Sequence, residues 1–308
     1  MIWPFRRPAP DLATRISITP PAPSTDQAPL ALVLIARNEA AHLRDWLAFH
    51  AIAGASHIIL YDNGSTDNTA EIARGFPALD VTVVPWVLQG AEHKTGMRLH
   101  QQSLAYAHAI CTFGSGFERM AFIDTDEFLV PQYAQTLPEV LGQLQHPNIS
   151  LPWAMFGHSG HDTPPKGAVP FAYLNRAKAS QGPLLNFKCI VDPCEVTMVN
   201  PHRFETRSCG NQTMNTQGEV ATNKGRTGSF VSHDGIQLNH YYLMSEQNMR
   251  SKISGPDISG AEQEQRKQAI LRKRDLIEAD PILDTSAVDF LARHGISTTK
   301  GLRDRFAD

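Results

Sequence analysis

Between Arg119 and Val130 an apolar run, Met120, Ala121, Phe122 and Ile123, meets three acids within four positions: Asp124, Asp126 and Glu127. Four consecutive apolar residues of this kind form a short strand buried on both faces. Side chains alternate along a strand, so continuing it would set Asp124 and Asp126 on one side and Thr125 and Glu127 on the other. Two carboxylates facing the same way at the end of a buried strand repel, and an unpaired buried charge is costly. Either a cation sits between them or one acid stays protonated. Mg²⁺ and Mn²⁺ accept carboxylate and phosphate oxygens together, so a divalent cation is the simplest partner. The plainer alternative is a solvated acidic turn after a core strand, and the tetrapeptide alone does not separate the two.

The chain in front of this segment narrows the choice. Ala31 to Ala36 is apolar throughout, as central parallel strands are. Arg37, Asn38 and Glu39 follow, with Asn38 as a helix N-cap and Leu43, Trp46, Leu47 and Ala51 at helical spacing before Gly54. A second strand, His57 to Tyr61, ends in the turn Asp62, Asn63, Gly64, Ser65, Thr66, Asp67. A short helix over Asn68 to Arg74, a strand over Val81 to Trp86 and a helix over Met97 to Cys111 lead into the acidic strand. This alternation predicts an α/β fold with a mostly parallel sheet and helices on both faces. Ligands of such sheets bind off the carboxyl ends of the strands. Three polar clusters fall there: Arg37-Asn38-Glu39, Asp62-Asn63 and Asp124-Thr125-Asp126.

Absences restrict the ligand. No G-x-G-x-x-G follows the first strand, no G-x-x-x-x-G-K-[ST] occurs, and neither H-E-x-x-H nor paired-cysteine metal spacing is present. The first loop has no glycine, which counts against a sugar-nucleotidyltransferase. What survives is a nucleotide gripped by side chains.

A net charge of −3 gives no bulk reason to expect nucleic acid. No run of 18 apolar residues is present, and the basic pair Arg6-Arg7 has no apolar stretch behind it, so neither a spanning helix nor a secretory signal is expected. Cys111, Cys189, Cys194 and Cys209 lack C-x-x-C spacing and read as reduced thiols, which with the missing signal predicts a cytoplasmic setting. Residues 1–29 carry seven prolines and read as an extended, disordered lead, where Trp3, Phe5, Arg6 and Arg7 form at most a membrane-touching tip.

Several segments in order resemble nucleotide-sugar glycosyltransferases of the GT-A fold, and most closely glycosyltransferase family 92 with bacterial relatives in family 2. They are Ala36-Arg37-Asn38-Glu39 with Trp46 and Gly54; Tyr61 to Asp67; Asp124 to Phe128; Trp153 to His161; Asn186 to Val191 with Pro193; His202; and Asn239-His240-Tyr241-Tyr242 with Ser245 and Lys252.

The resemblance implies transfer of a hexose, galactose-like and with inversion, from a nucleoside diphosphate sugar, UDP favoured, to a glycan or lipid-linked acceptor. It implies Mn²⁺ or Mg²⁺ as cofactor, with Asp126 and Asp124 as ligands and His240, or less favoured His202, folding back to join them. Arg37, Asn38, Glu39, Asp62, Asn63, Asp124, Thr125 and Lys188 are the expected donor contacts. Inversion needs a general base near the acceptor hydroxyl. Glu205, Glu195 and Asp162 are the candidates, with Asp192 behind them.

Residues 30–252 then form the transferase domain and residues 253–308 a helical C-terminal appendage. Its segment Glu262 to Glu278 reads as an amphipathic helix with Arg266, Lys267, Arg272, Lys273 and Arg274 on its polar side. Docking to the catalytic domain is the simpler reading, and contact with the inner face of an anionic membrane the sharper one. Two other classes stay open at this point: a nucleotidyltransferase, which would release pyrophosphate, and a non-catalytic nucleotide-sugar or carbohydrate-binding protein.

Overall fold

A computed structural model describes residues 12–254 and 261–307. The proposed tip at Trp3, Phe5, Arg6 and Arg7, and the side chain of Glu262, lie outside the described residues. Ten strands form the main sheet: β1 (Ala28–Ala36), β2 (His57–Asp62), β3 (Asp80–Pro85), β4 (Phe117–Phe122), β5 (Glu127–Pro131), β6 (Asn148–Met155), β7 (Phe187–Val191), β8 (Gln212–Met214), β9 (Val220–Thr222) and β10 (Ile236–His240). Their order is β9-β8-β6-β7-β4-β1-β2-β3, with β10 joining β6 to β5.

The part of the sheet made by β4, β1, β2 and β3 is parallel, as expected from strand–helix alternation. Beyond β4 the sheet becomes mixed, where a mostly parallel one was expected. β7 runs antiparallel to both β4 and β6, and β5 antiparallel to β10. Past Asp124 the strands are joined by turns, loops and short helices, and both directions occur: β8 and β10 still lie parallel to β6. The fold is α/β with a mixed sheet.

Period-two burial sets the two faces. Leu30, Leu32 and Leu34 of β1 enter one core with Ile58 and Leu60, while Ala31 and Val33 enter the other with Ile59 and Tyr61. Helices α1 (Ala40–Ile52) and α2 (Thr69–Arg74) cover the first face, and α3 (Gln101–Phe113) the second. Gly54 follows α1 at φ +92, a backbone that L side chains avoid, and a Cβ there would meet the Thr136 Cβ at 2.9 Å.

The two ends of the chain depart from expectation. Residues 12–29 are not a loose lead: Ile16–Ser17 pairs with Val196–Asn200, and Leu12–Ala13 runs beside Arg98–Leu99. Backbone pairing satisfies groups that prolines elsewhere in the segment cannot. Nor is the C-terminal region an appendage. Helices α4 (Leu137–Leu141), α5 (Val169–Ala172), α6 (Glu246–Ile253), α7 (Ala261–Glu278), α8 (Ser286–Arg293) and α9 (Thr299–Asp304) follow in order, and Ile270, Ile277, Phe290, Leu291 and Leu302 all join the first core. Pro281–Leu283 adds a strand to Asn175–Ala177, and Arg303 donates to both carboxylate oxygens of buried Asp45 at 2.9 and 2.8 Å. Hydrophobic side chains spaced through residues 270–302 make this region one body with the sheet.

Candidate functional site

At the end of β4 the strand stops short of the acids. Asp124 to Asp126 form a turn closed by Glu127 N–H donating to the Asp124 carbonyl at 3.1 Å, and β5 begins at Glu127. Strand alternation therefore does not carry through, and Asp124, Thr125 and Asp126 all line one cleft of about 730 Å³. β5 pairs only with β10; two side chains one turn apart on α1 satisfy its other edge. Trp46 Nε1 donates to the Glu127 carbonyl at 2.8 Å, and the Leu129 N–H donates to His50 Nε2 at 3.2 Å. The Nδ1–H of His50 then donates to the Trp46 carbonyl at 2.9 Å. Helix α1 thus holds the acidic turn in place.

Each aspartate has a lysine. Lys188 Nζ lies 2.8 Å from Asp124 Oδ2 and 3.5 Å from Glu127 Oε2; its side chain is 1% exposed and that of Glu127 0%. Gln102 of α3 donates to Asp124 Oδ1 at 2.8 Å. Glu127 accepts from Trp153 Nε1 at 2.7 Å and from the Asp124 N–H at 2.8 Å. Burial pushes the Glu127 carboxyl up against the pull of Lys188. Burial alone would push Lys188 down, but Asp124 and Glu127 outweigh it and hold the ammonium. On the open side, Lys252 Nζ stands 2.7 Å from Asp126 Oδ2 and His240 Nε2 3.5 Å from Asp126 Oδ1. Burial works against the Asp126 charge, yet Lys252 and then His240 win and its pKa falls well below the usual carboxylate range.

His240 reaches this place by register: it opposes Glu127 across the β5–β10 pair, and Met155 across β6. Its ring lies 4.4 Å from that of Trp153, burial lowers its pKa, and Nδ1 is buried with no partner. His202 also lines the cleft; Nδ1 bonds the Phe187 carbonyl at 2.9 Å, and burial, then Lys188, lower its pKa to about 4.

The loop after β1 forms the facing wall. Arg37, Asn38 and Glu39 line the cleft. Asn38 sits at φ +60 and is not the N-cap of α1: its Oδ1 accepts from the Thr66 N–H at 2.8 Å, and Asp67 of the second loop accepts from the Ala40 N–H at 3.1 Å. Side chains from the two loops cap each other, which a window on one loop cannot reveal. Burial, then the charge of Asp126, raise the Glu39 carboxyl to about 7.

An adjoining hollow shares Arg37, Glu39, Gln102 and Asp124 with the cleft and adds Asn63. Asp62 lines neither; its Oδ1 accepts from the Ser65 N–H at 2.9 Å. Lys188, expected as a donor contact, lies behind Asp124, paired with it and outside the cleft lining. The three expected general bases are also displaced. Glu205 pairs with Arg15 at 2.6 Å, Glu195 accepts from the Ser208 N–H at 2.9 Å, and neither they nor Asp162 borders the cleft. Asp192 lines a separate hollow with Arg119. The residues that do line it and were missed are Gln102, His42, Tyr242, Lys252 and Arg266. Lys252 stood in a quoted motif; Gln102 and Arg266 carry no local signal.

Helix α7 closes another side. Ile270 and Ile277 dock it, Arg266 lines the cleft, and Lys273 Nζ sits 4.8 Å above the Tyr242 ring and 5.6 Å above Trp153. Two of its five basic residues thus face the site. No described helix is long and apolar enough to cross a membrane.

Among the described residues no three His, Cys, Asp or Glu side chains are grouped to hold a metal ion. Asp126 Oδ1 and His240 Nε2, 3.5 Å apart, are two potential donors, a carboxylate oxygen and an imidazole nitrogen, that suit Mn²⁺ better than Mg²⁺ and leave the rest of a shell to a ligand.

The family model of glycosyltransferase family 92 matches residues 34–254, from the first strand through the last turn of α6. The chain belongs to glycosyltransferase family 92. A family 92 protein of rice (Oryza sativa subsp. japonica) is 27% identical over 231 residues, 71% of this chain and 34% of the rice protein, so the chain spans about a third of that relative's length. The loop after β1, the acidic turn, His240 and Lys252 lie within the family 92 match, whereas Arg266 of α7 lies outside it. Among solved structures, S. aureus TarS 1–349 in complex with UDP-GlcNAc overlaps 54% of this chain and 46% of its own, at 15% identity and TM-score 0.35. Glucosyl-3-phosphoglycerate synthase from Mycobacterium tuberculosis, in complex with Mn²⁺, UDP and glucosyl-3-phosphoglycerate, overlaps 41% and 44% at 17% identity and TM-score 0.26. At these scores neither overlap transfers a ligand to this family 92 chain.

Proposed function

We propose that this chain moves a hexose from a nucleoside diphosphate sugar to a hydroxyl of a glycan or lipid-linked acceptor, with UDP-galactose the favoured donor and inversion at the anomeric carbon. The observation that carries the reading is the pair Asp124 and Asp126, both lining one cleft at the carboxyl end of β4 inside the family 92 match. Asp126 and His240 would hold Mn²⁺ or Mg²⁺ with the donor's phosphate oxygens. Bound there, the ion would act as a Lewis acid on the departing diphosphate.

The chain's own residues supply the rest. Lys188 and Gln102 fix the Asp124 carboxylate from behind, leaving its exposed edge, 35% of the side chain, toward the donor. Arg37 and Arg266 place guanidinium groups on the cleft wall, where they suit phosphate. Asn63 and Arg37 extend the floor into the adjoining hollow, which suits the nucleoside end. Of the three carboxylates facing the cleft, Asp124 and Asp126 are each engaged by a lysine, which leaves Glu39 as the candidate to take the acceptor's proton.

The test is a product assay with a panel of nucleotide hexoses and Mn²⁺. Release of a nucleoside diphosphate, abolished in Asp126→Asn, supports transfer. Release of pyrophosphate from a nucleoside triphosphate and a sugar phosphate would support nucleotidyl transfer instead. Tight donor binding without any release would leave a binding protein.

A further inference from the structure

Lys252 occupies the position a cation would need. Its ammonium is 2.7 Å from Asp126 Oδ2 and donates also to the Tyr242 carbonyl at 2.8 Å, with the Tyr242 ring beneath it at 4.9 Å. The side chain is 35% exposed toward the cleft, unlike Lys188, so it has room to swing. Lys273 Nζ lies 4.8 Å from the centroid of the same ring, and Arg266 lines the cleft, so positive charge is already dense there. A divalent ion placed on Asp126 and His240 would stand against this ammonium and compete with it for the same carboxylate. The conflict disappears only if an anion enters at the same time and takes the lysine. A diphosphate is such an anion.

Resting on the nucleotide-sugar reading above, we propose that Lys252 is a diphosphate-binding residue which, in the free protein, is parked on Asp126 and keeps the divalent cation out. The cation and the diphosphate then bind as a pair, each strengthening the other. The device prevents a metal ion from filling the cleft before a donor is present.

The test uses the full chain and two probes, Mn²⁺ and UDP, with free Mn²⁺ read by electron paramagnetic resonance and UDP by calorimetry. For the wild type, Mn²⁺ binding tightens at least about tenfold when UDP is saturating. In Lys252→Met, Mn²⁺ alone binds about tenfold more tightly than to the wild type, UDP with Mn²⁺ binds about tenfold more weakly, and the coupling shrinks toward unity. Lys252→Arg, which keeps the charge and guards against a folding artefact, behaves as wild type toward Mn²⁺ alone. Lys273→Met, which removes a nearby charge with no bond to Asp126, tightens Mn²⁺ binding without UDP less than Lys252→Met does. The proposal is overturned if the wild type binds UDP with Mn²⁺ but Lys252→Met changes neither the Mn²⁺ nor the UDP affinity. If the wild type binds no UDP even at saturating Mn²⁺, the nucleotide-sugar reading fails first and takes this inference with it.

Discussion

Lys188 holds Asp124 from behind: its Nζ is 2.8 Å from Asp124 Oδ2, and only 1% of its side chain meets solvent. One of the two carboxylates of the acidic turn is therefore neutralised permanently by the protein, while the other, Asp126, is neutralised by a lysine on the open side of the cleft. The division matters because it assigns the first to shape and the second to exchange.

Replacing Lys188 by methionine leaves Asp124 and fully buried Glu127 without their cation. Breaking a buried pair from one side costs about 3–5 kcal/mol. Urea unfolding of Lys188→Met should show this loss, and adding Glu127→Gln should recover part of it, because the second change removes a buried acid that must otherwise take up a proton once its cation is gone. Full additivity of the two losses would show that the pair does not interact.

His50 makes stability depend on acid. Its Nε2 accepts from the Leu129 N–H, so it must stay neutral, and burial lowers its pKa from 6.5 to about 3. The unfolded chain takes up the proton more readily than the folded one. The contribution is thus complete above pH 6.5 and is lost as pH falls from there toward 3. Unfolding free energy measured between pH 7 and pH 4 should fall for the wild type, and this part of the fall should be missing in His50→Gln. Equal slopes would place the acid sensitivity elsewhere.

Glu39 gives a pH signature to donor binding. With its carboxyl raised to about 7, chiefly by burial and then by Asp126, it is partly protonated at neutral pH, and a cation entering beside it drives the proton off. Affinity for a nucleotide sugar with Mn²⁺ should rise between pH 6 and pH 8, a window in which the sugar diphosphate itself does not titrate. Glu39→Gln should flatten that rise. An unchanged slope in the variant would exclude Glu39 as its source.

Phe290 tests whether the C-terminal helices belong to the main body. It packs 5.2 Å from Phe49 of α1 in the shared core. Phe290→Ala should lower stability by about 3–5 kcal/mol in a single unfolding transition. A second, separate transition would mean that the region folds on its own.

What sequence reading could and could not reach has a physical basis. β1 to β4 and α1 to α3 were legible because β1, β2 and β4 carry largely buried apolar runs and each helix alternates with a strand, a pattern that leaves few topologies. The acidic turn was legible as a site for the same reason. The mixed half of the sheet was not: β5, β6, β7 and β10 find partners far along the chain, and nothing within a window says that His240 will oppose Glu127. Glu195 and Glu205 were weighed by position beside His202; that turn residue does line the cleft, but Glu205 is drawn to Arg15 and Glu195 to the Ser208 N–H, partners no sequence window shows. Asn38 was misread because the first amide of α1, at Ala40, is taken by Asp67 of another loop, while Asn38 itself accepts from Thr66.

The most direct test of the central claim is a thermal-shift panel of nucleotide sugars, with and without Mn²⁺, on the wild type and on Asp126→Asn. At a hundredfold excess over its dissociation constant a ligand adds about 2.7 kcal/mol, enough to raise Tm by a few degrees. The account predicts that one donor raises the wild-type Tm only when Mn²⁺ is present, and that Asp126→Asn loses the shift. Absence of a shift with every donor, or an equal shift in Asp126→Asn, would contradict it.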